Sequence, residues 1–118
     1  MDNHKVYEMS FEKIYQLYIQ KIERKNKRKS DLDTLIHWLT GYDNITLKNV
    51  FLEQYTMRQF FAHAPQMNDR RFLIQGVICG VRVEEITHPL MQNIRYLDKL
   101  VDELVRGKKM SSIMREPK

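Results

Sequence analysis

Leu90, Ile94, Leu97, Val101 and Leu104 stand four, three, four and three residues apart. That spacing gathers all five on one side of a helix, and Met91, Tyr96, Leu100 and Val105 widen the side into a broad apolar face. Pro89 suits a first helical turn and Gly107 a left-handed stop. A helix so apolar must bury opposite sides against two neighbours, or one side against its own domain and the other against a partner. Much of what the remaining residues can fold into follows from that demand.

Upstream, Phe11, Ile14, Tyr15, Tyr18 and Ile22 make a second stripe on a helix read over residues 9–25, with Ser10 as its cap and Glu12 in its first turn. Ser30 with Asp33 three residues on resembles a capping box, opening a helix that buries Leu32, Leu35, Ile36 and Leu39 and stops at Gly41. Two shorter helices follow, Leu47–Gln54 capped by Thr46 and Met57–Ala64 capped by Thr56, the latter ended by Pro65. Residues 108–115 add a short final turn or two.

The stretch from Phe72 to Ile86 admits two readings. Phe72, Gly76, Cys79, Val83 and Ile86 keep a 4-3-4-3 spacing, which predicts a largely buried central helix with Cys79 in the core and Gly76 and Gly80 admitting a close neighbour. Its valine and isoleucine content leaves a strand pair as the alternative. The fold class that follows is all-α, a compact bundle of about five to six helices with room for a short extended N-terminal segment. At 118 residues, 42% of them hydrophobic and 30% charged, the chain is expected to form a single helical domain, 1–118.

With one cysteine, no intrachain disulfide and no cysteine-rich metal site can form. The N-terminus carries no apolar signal segment, and the most apolar run, Phe72–Val81, falls well short of a membrane span of about 20 residues. A cytoplasmic location, no membrane association and no cofactor are therefore expected. The net charge of +5 is concentrated in one place: Lys21, Arg24, Lys25, Lys27, Arg28 and Lys29 stand against the single acid Glu23.

Three stretches carry a resemblance: Trp38-Leu-Thr-Gly-Tyr42, Gly76-Val-Ile-Cys-Gly-Val-Arg-Val-Glu-Glu-Ile86, and Pro89 through Leu104. On these, and on a matching start around residues 5–18, the chain resembles a bacterial family catalogued as domain of unknown function 2200. The resemblance implies a bacterial cytoplasmic protein and brings no catalytic residues with it.

Candidate chemistry is sparse. Cys79 is a nucleophile only if His37, His63 or His88 reaches it, and a place in the core is the plainer reading. Glu85-x-x-His88 is one carboxylate–imidazole pair where a di-metal bundle needs two pairs and further carboxylates, so no metal site is assigned. Arg82, Glu84, Glu85, Arg95, Asp98, Asp102 and Glu103 suit structural ion pairs first. With Trp38 and Tyr42 around the stop at Gly41, the set Trp38, Tyr42, Arg82, Glu85, Arg95 and Asp98 marks a speculative ligand pocket. The basic run 21–29 suits nucleic-acid phosphates, without any recognised binding motif beside it. The favoured function is a non-catalytic interaction module acting as a homodimer, its seam on the apolar face of the final long helix or on the Gly76/Gly80 surface. Nucleic-acid binding, and a small enzyme or ligand binder near Trp38, Arg82, Glu85 and Arg95, stand as alternatives.

Overall fold

The computed structural model describes residues 4–117. Among these residues seven α-helices run in chain order: α1 (His4–Glu8), α2 (Phe11–Glu23), α3 (Lys29–Thr40), α4 (Asn44–Leu52), α5 (Met57–Ala62), α6 (Pro89–Val105) and α7 (Met110–Ile113). Between α5 and α6 lie two 3-10 turns and a small antiparallel hairpin, β1 (Val77–Ile78) and β2 (Val81–Arg82). The bundle is mostly α, as expected. Residues 4–8 are helical where the sequence allowed an extended segment.

α6 is the central element, packing against α2, α3, α5, α7 and β1. Ringed in this way, it buries Met91, Ile94, Tyr96, Leu97, Leu100, Val101 and Leu104 within its own chain. Each such side chain removed from water contributes about 1.5–3 kcal/mol. The stripe is therefore intramolecular core. The expectation that its outer side forms a dimer seam fails because the chain itself covers it. The cover comes from α2, α3 and α5, each of which turns a buried face inward.

Caps explain most boundaries. The Ser10 hydroxyl accepts from Lys13 N, Thr56 and Gln59 form a reciprocal capping box, and His88 caps α6 with Pro89 at its first turn. The Ser10 and Thr56 caps lie side by side in an isolated antiparallel bridge, with Phe11 N donating to Tyr55 O and Met57 N to Met9 O, both at 2.8 Å. That bridge brings Phe11 onto Phe60, their rings stacked 3.8 Å apart.

Two capping expectations are corrected. Asp43, not Thr46, caps α4, and Thr46 is its reciprocal partner three residues on. At α3 the cap position is Arg28, with no side-chain bond, and Ser30 lies inside the helix. Asp33 turns away to accept from Tyr15 Oη at 2.6 Å and to pair with Lys29 at 3.0 Å, tying α3 to α2. Gly41 does stop α3, at φ +80. Residues 66–68 then cross the helix end: Gln66 N donates to Thr40 O, Asn68 N to Leu39 O, and Asn68 Nδ2 to Trp38 O. A Cβ on Gly41 would sit 2.8 Å from Gln66 N.

The largest correction concerns residues 72–86, which form no α-helix. Asp69–Leu73 is a 3-10 turn, the hairpin follows, and Val83–Glu85 is a second 3-10 turn. Cys79 and Gly80 are the two loop residues, both left-handed at φ +53 and +80. That pair of positive φ values marks the tight mirror-image turn whose twist matches that of the strands. Cys79 is exposed rather than buried, and nothing approaches within 4 Å of a Cβ at Gly80, so no helix crosses there. Phe72 is exposed as well, while Ile74 and Val83 anchor the segment to the core.

Candidate functional site

The hairpin docks on α6 through polar contacts as well as apolar ones. Arg95 and Asp98, one turn apart on α6, form an ion pair at 2.8 Å, both largely withdrawn from solvent. Tyr18, reaching over from α2, donates its hydroxyl to the other oxygen of Asp98. Arg95 Nη1 also donates to Cys79 Sγ at 3.2 Å, and Lys99 Nζ reaches Val77 O at 3.4 Å. One chain of contacts thus runs from α2 through α6 to the turn of the hairpin.

The electrostatics of these contacts keep the Tyr18 hydroxyl and the Arg95 guanidinium in their ordinary protonated forms. Burial, reinforced by the Asp98 carboxylate, pushes the Tyr18 hydroxyl well above its ordinary value. Burial works against the Arg95 charge, but the hydrogen bond and field of Asp98 outweigh it and raise the guanidinium further. Tyr18 therefore holds its proton and Arg95 its charge, which is what a structural tie requires. Cys79 meets Arg95, rather than His37, His63 or His88. His88 Nδ1 faces Tyr7 Oη at 3.3 Å and the backbone N–H of Met91.

The six residues of the expected pocket fall in four places. Arg82 and Glu85 do share a cleft of about 640 Å³, together with Val77, Gly80, Val81, Ile86 and Thr87. Arg95 and Asp98 lie beneath the hairpin in the tie just described. Trp38 lines a separate cleft of about 430 Å³ with Gln66, Asn68 and Arg70. Tyr42 lines neither: it is buried, stacked on Phe60, with its hydroxyl donating to Phe60 O at 2.6 Å.

In the 640 Å³ cleft, Arg82 pairs with its neighbour Glu84 at 3.4 Å, and the Glu84 carboxylate also accepts from Gly76 N. That backbone bond, then Glu84's own backbone N–H, and less so Arg82, lower the Glu84 pKa. Among the described residues Glu85 has no ion-pair partner and is exposed. The sequence reading missed a third cleft, about 440 Å³ between α2, α3 and α4, where Tyr15, Asp33, Lys29 and Lys48 meet. Its signal, Asp33, was absorbed by the capping-box reading. Among the described residues no group of three or more His, Cys, Asp or Glu side chains is placed to hold a metal.

Of the basic run, Lys21, Arg24 and Lys25 are exposed at the end of α2 and its turn, and Lys27 is half-buried. Arg28 pairs with Asp31 at 3.3 Å and Lys29 with Asp33. Tyr15 and Tyr18 are core residues and do not flank the run as exposed rings. Among the described residues no helix is long and apolar enough to cross a membrane.

Comparison with known proteins agrees with this geometry without adding chemistry. A family model described as an uncharacterized protein conserved in bacteria matches residues 5–115. The crystal structure of "uncharacterized protein SP1917" is similar, with a TM-score of 0.90 and 40% identity over 98% of this chain and 94% of that one. None of the functionally curated proteins matches the chain.

Proposed function

The chain belongs to DUF2200, a family of uncharacterized proteins conserved in bacteria, and from that premise, which supplies no reaction, we propose a non-catalytic interaction module that pairs with a second copy of itself through the hairpin. One observation carries the reading. Of the seven large apolar side chains exposed among the described residues, Phe72, Leu73, Val77 and Val81 fall within ten residues, each roughly half exposed. Solvent-facing apolar side chains concentrated in this way mark association surfaces.

The partner is a second copy because the charges there are self-complementary. A two-fold interface sets residue i against j and j against i. Val77 and Val81 line one cleft with Arg82 and with Glu85, which has no ion-pair partner among the described residues, so a two-fold arrangement can set each Glu85 against the other chain's Arg82, now held only by Glu84 at 3.4 Å. Such a pairing also braces a two-stranded hairpin, which is marginal alone. We place the module in the cytoplasm, where an exposed thiol such as Cys79 stays reduced.

Light scattering tests the proposal. The expected mass is twice that of the chain, falling to the monomer on Val81→Glu and unchanged on Leu52→Glu, a more exposed apolar site elsewhere. A monomeric mass up to roughly 100 μM, which caps the association energy at about 5.5 kcal/mol, overturns it.

A further inference from the structure

Two basic segments far apart in sequence meet at one end of the molecule. The turn after α2 carries Lys27, and the turn after α6 carries Gly107, flanked by Arg106, Lys108 and Lys109. Lys27 Nζ lies 3.9 Å from where a Cβ on Gly107 would stand. The dense basic run 21–29 is thereby continued by residues 106–109. Together these thirteen residues hold nine cations and one carboxylate, leaving eleven cations against fourteen acids in the rest of the chain.

Nearby acids neutralise part of this pole. Arg28, Lys29, Arg106 and Lys108 pair with Asp31, Asp33, Asp102 and Glu103. Lys21, Arg24, Lys25, Lys27 and Lys109 make no ion pair among the described residues, and all but Lys27 are exposed. Five uncommitted cations, drawn from two segments that meet where Lys27 reaches Gly107, form an electrostatic footprint with no internal use.

We infer that this pole binds the phosphate backbone of double-stranded nucleic acid without regard to sequence. Neither segment contains an aromatic residue, so it offers no stacking platform for unpaired bases. A membrane-surface helix needs an apolar face beside its basic one, but here the apolar side chain of the run, Ile22, is fully buried in the core. What remains is a cluster of charges suited to regularly spaced phosphates. The inference is independent of the homodimer, since no hairpin residue takes part.

Fluorescence anisotropy of a labelled, arbitrary-sequence DNA duplex titrated with the full chain decides it. If all five cations meet phosphates, the log–log salt slope is about −4.5, and affinity falls about 500-fold from roughly 50 to 200 mM salt. Lys25→Gln/Lys27→Gln/Lys109→Gln should leave a slope of about −1.8 and a loss of about 12-fold over the same range. Its melting temperature, measured alongside, should match that of the parent. No duplex binding in low salt overturns the inference, as does a triple variant that keeps the parental slope. Tighter binding to phosphatidylserine vesicles than to duplex would assign the pole to a membrane surface instead.

Discussion

Glu103 is a carboxylate almost wholly inside the protein, with 2% of its side chain exposed. Arg115, just beyond α7, grips it with both arms of its guanidinium, Nη1 to Oε1 at 2.5 Å and Nη2 to Oε2 at 2.8 Å. Lys108 stands farther off at 3.7 Å. Replacing Arg115 by Met keeps the apolar stem but leaves a buried charge with one distant cation. Breaking a buried pair from one side costs about 3–5 kcal/mol. Because Arg115 lies near the chain end and some water can follow, the lower end, about 3 kcal/mol, applies. For a domain of this length that is roughly a 12 °C drop in melting temperature. In urea it is a midpoint shift of about 2 M at an m-value near 1.5 kcal/mol/M. The sharper signature is an ordering. Glu103→Met/Arg115→Met removes both charges and should recover to within about 1 kcal/mol of the parent, because an apolar pair of similar volume carries no desolvation penalty. Urea unfolding of the parent, the single variant and the double variant measures all three. A single variant within about 0.5 kcal/mol of the parent, or a double variant less stable than the single, refutes the reasoning.

Other sites give independent checks. Leu100→Ala should cost about 2–5 kcal/mol in unfolding experiments while leaving the mass in solution unchanged, since Leu100 is core rather than interface. Cys79 should react with a thiol reagent in the native state, and Cys79→Asn should raise stability by up to about 1 kcal/mol, because asparagine tolerates the left-handed turn conformation. Burial, with the Asp33 hydrogen bond adding to it, pushes the Tyr15 hydroxyl from 10.0 up to about 12. Its folded value is raised, so its stabilising contribution is complete below pH 10.0 and is lost as pH climbs through about 12. Stability across that window should fall less steeply in Tyr15→Phe, and identical slopes would count against the assignment.

The long helices were legible because their apolar residues repeat at the helical period and their ends carry unambiguous punctuation, Ser10, Gly41, Thr56 and Pro89. Residues 72–86 were misread because Phe72, Gly76, Cys79, Val83 and Ile86 imitate a helical stripe by accident of spacing. Strands of two residues are too short to display alternation. The better signal was local: Ile78-Cys79-Gly80-Val81 sets a two-residue X-Gly turn between β-branched residues, the pattern of a tight hairpin. Two glycines, each costing about 0.5–1 kcal/mol in a helix interior, were a further signal against the helix, and in the fold Gly76 and Gly80 take φ +114 and +80. Of the site, the Arg95–Asp98 pair was readable as neighbours one turn apart. The links to Tyr18 and Cys79, and the meeting of Lys27 with Gly107, arise only from packing between elements distant in the chain.

The crossing of residues 66–68 over the end of α3 has a dynamic consequence. They are irregular loop, the class of segment that ordinarily opens on its own and exchanges its amide protons early. Here the amides of Gln66 and Asn68 are occupied by the terminal carbonyls of α3, and the contact at Gly41 leaves no space for one side to shift without the other. The loop therefore belongs to the cooperative unit of α3. Its amides should share the protection of that helix, and a stretch with no regular structure will unfold on the helix's timescale.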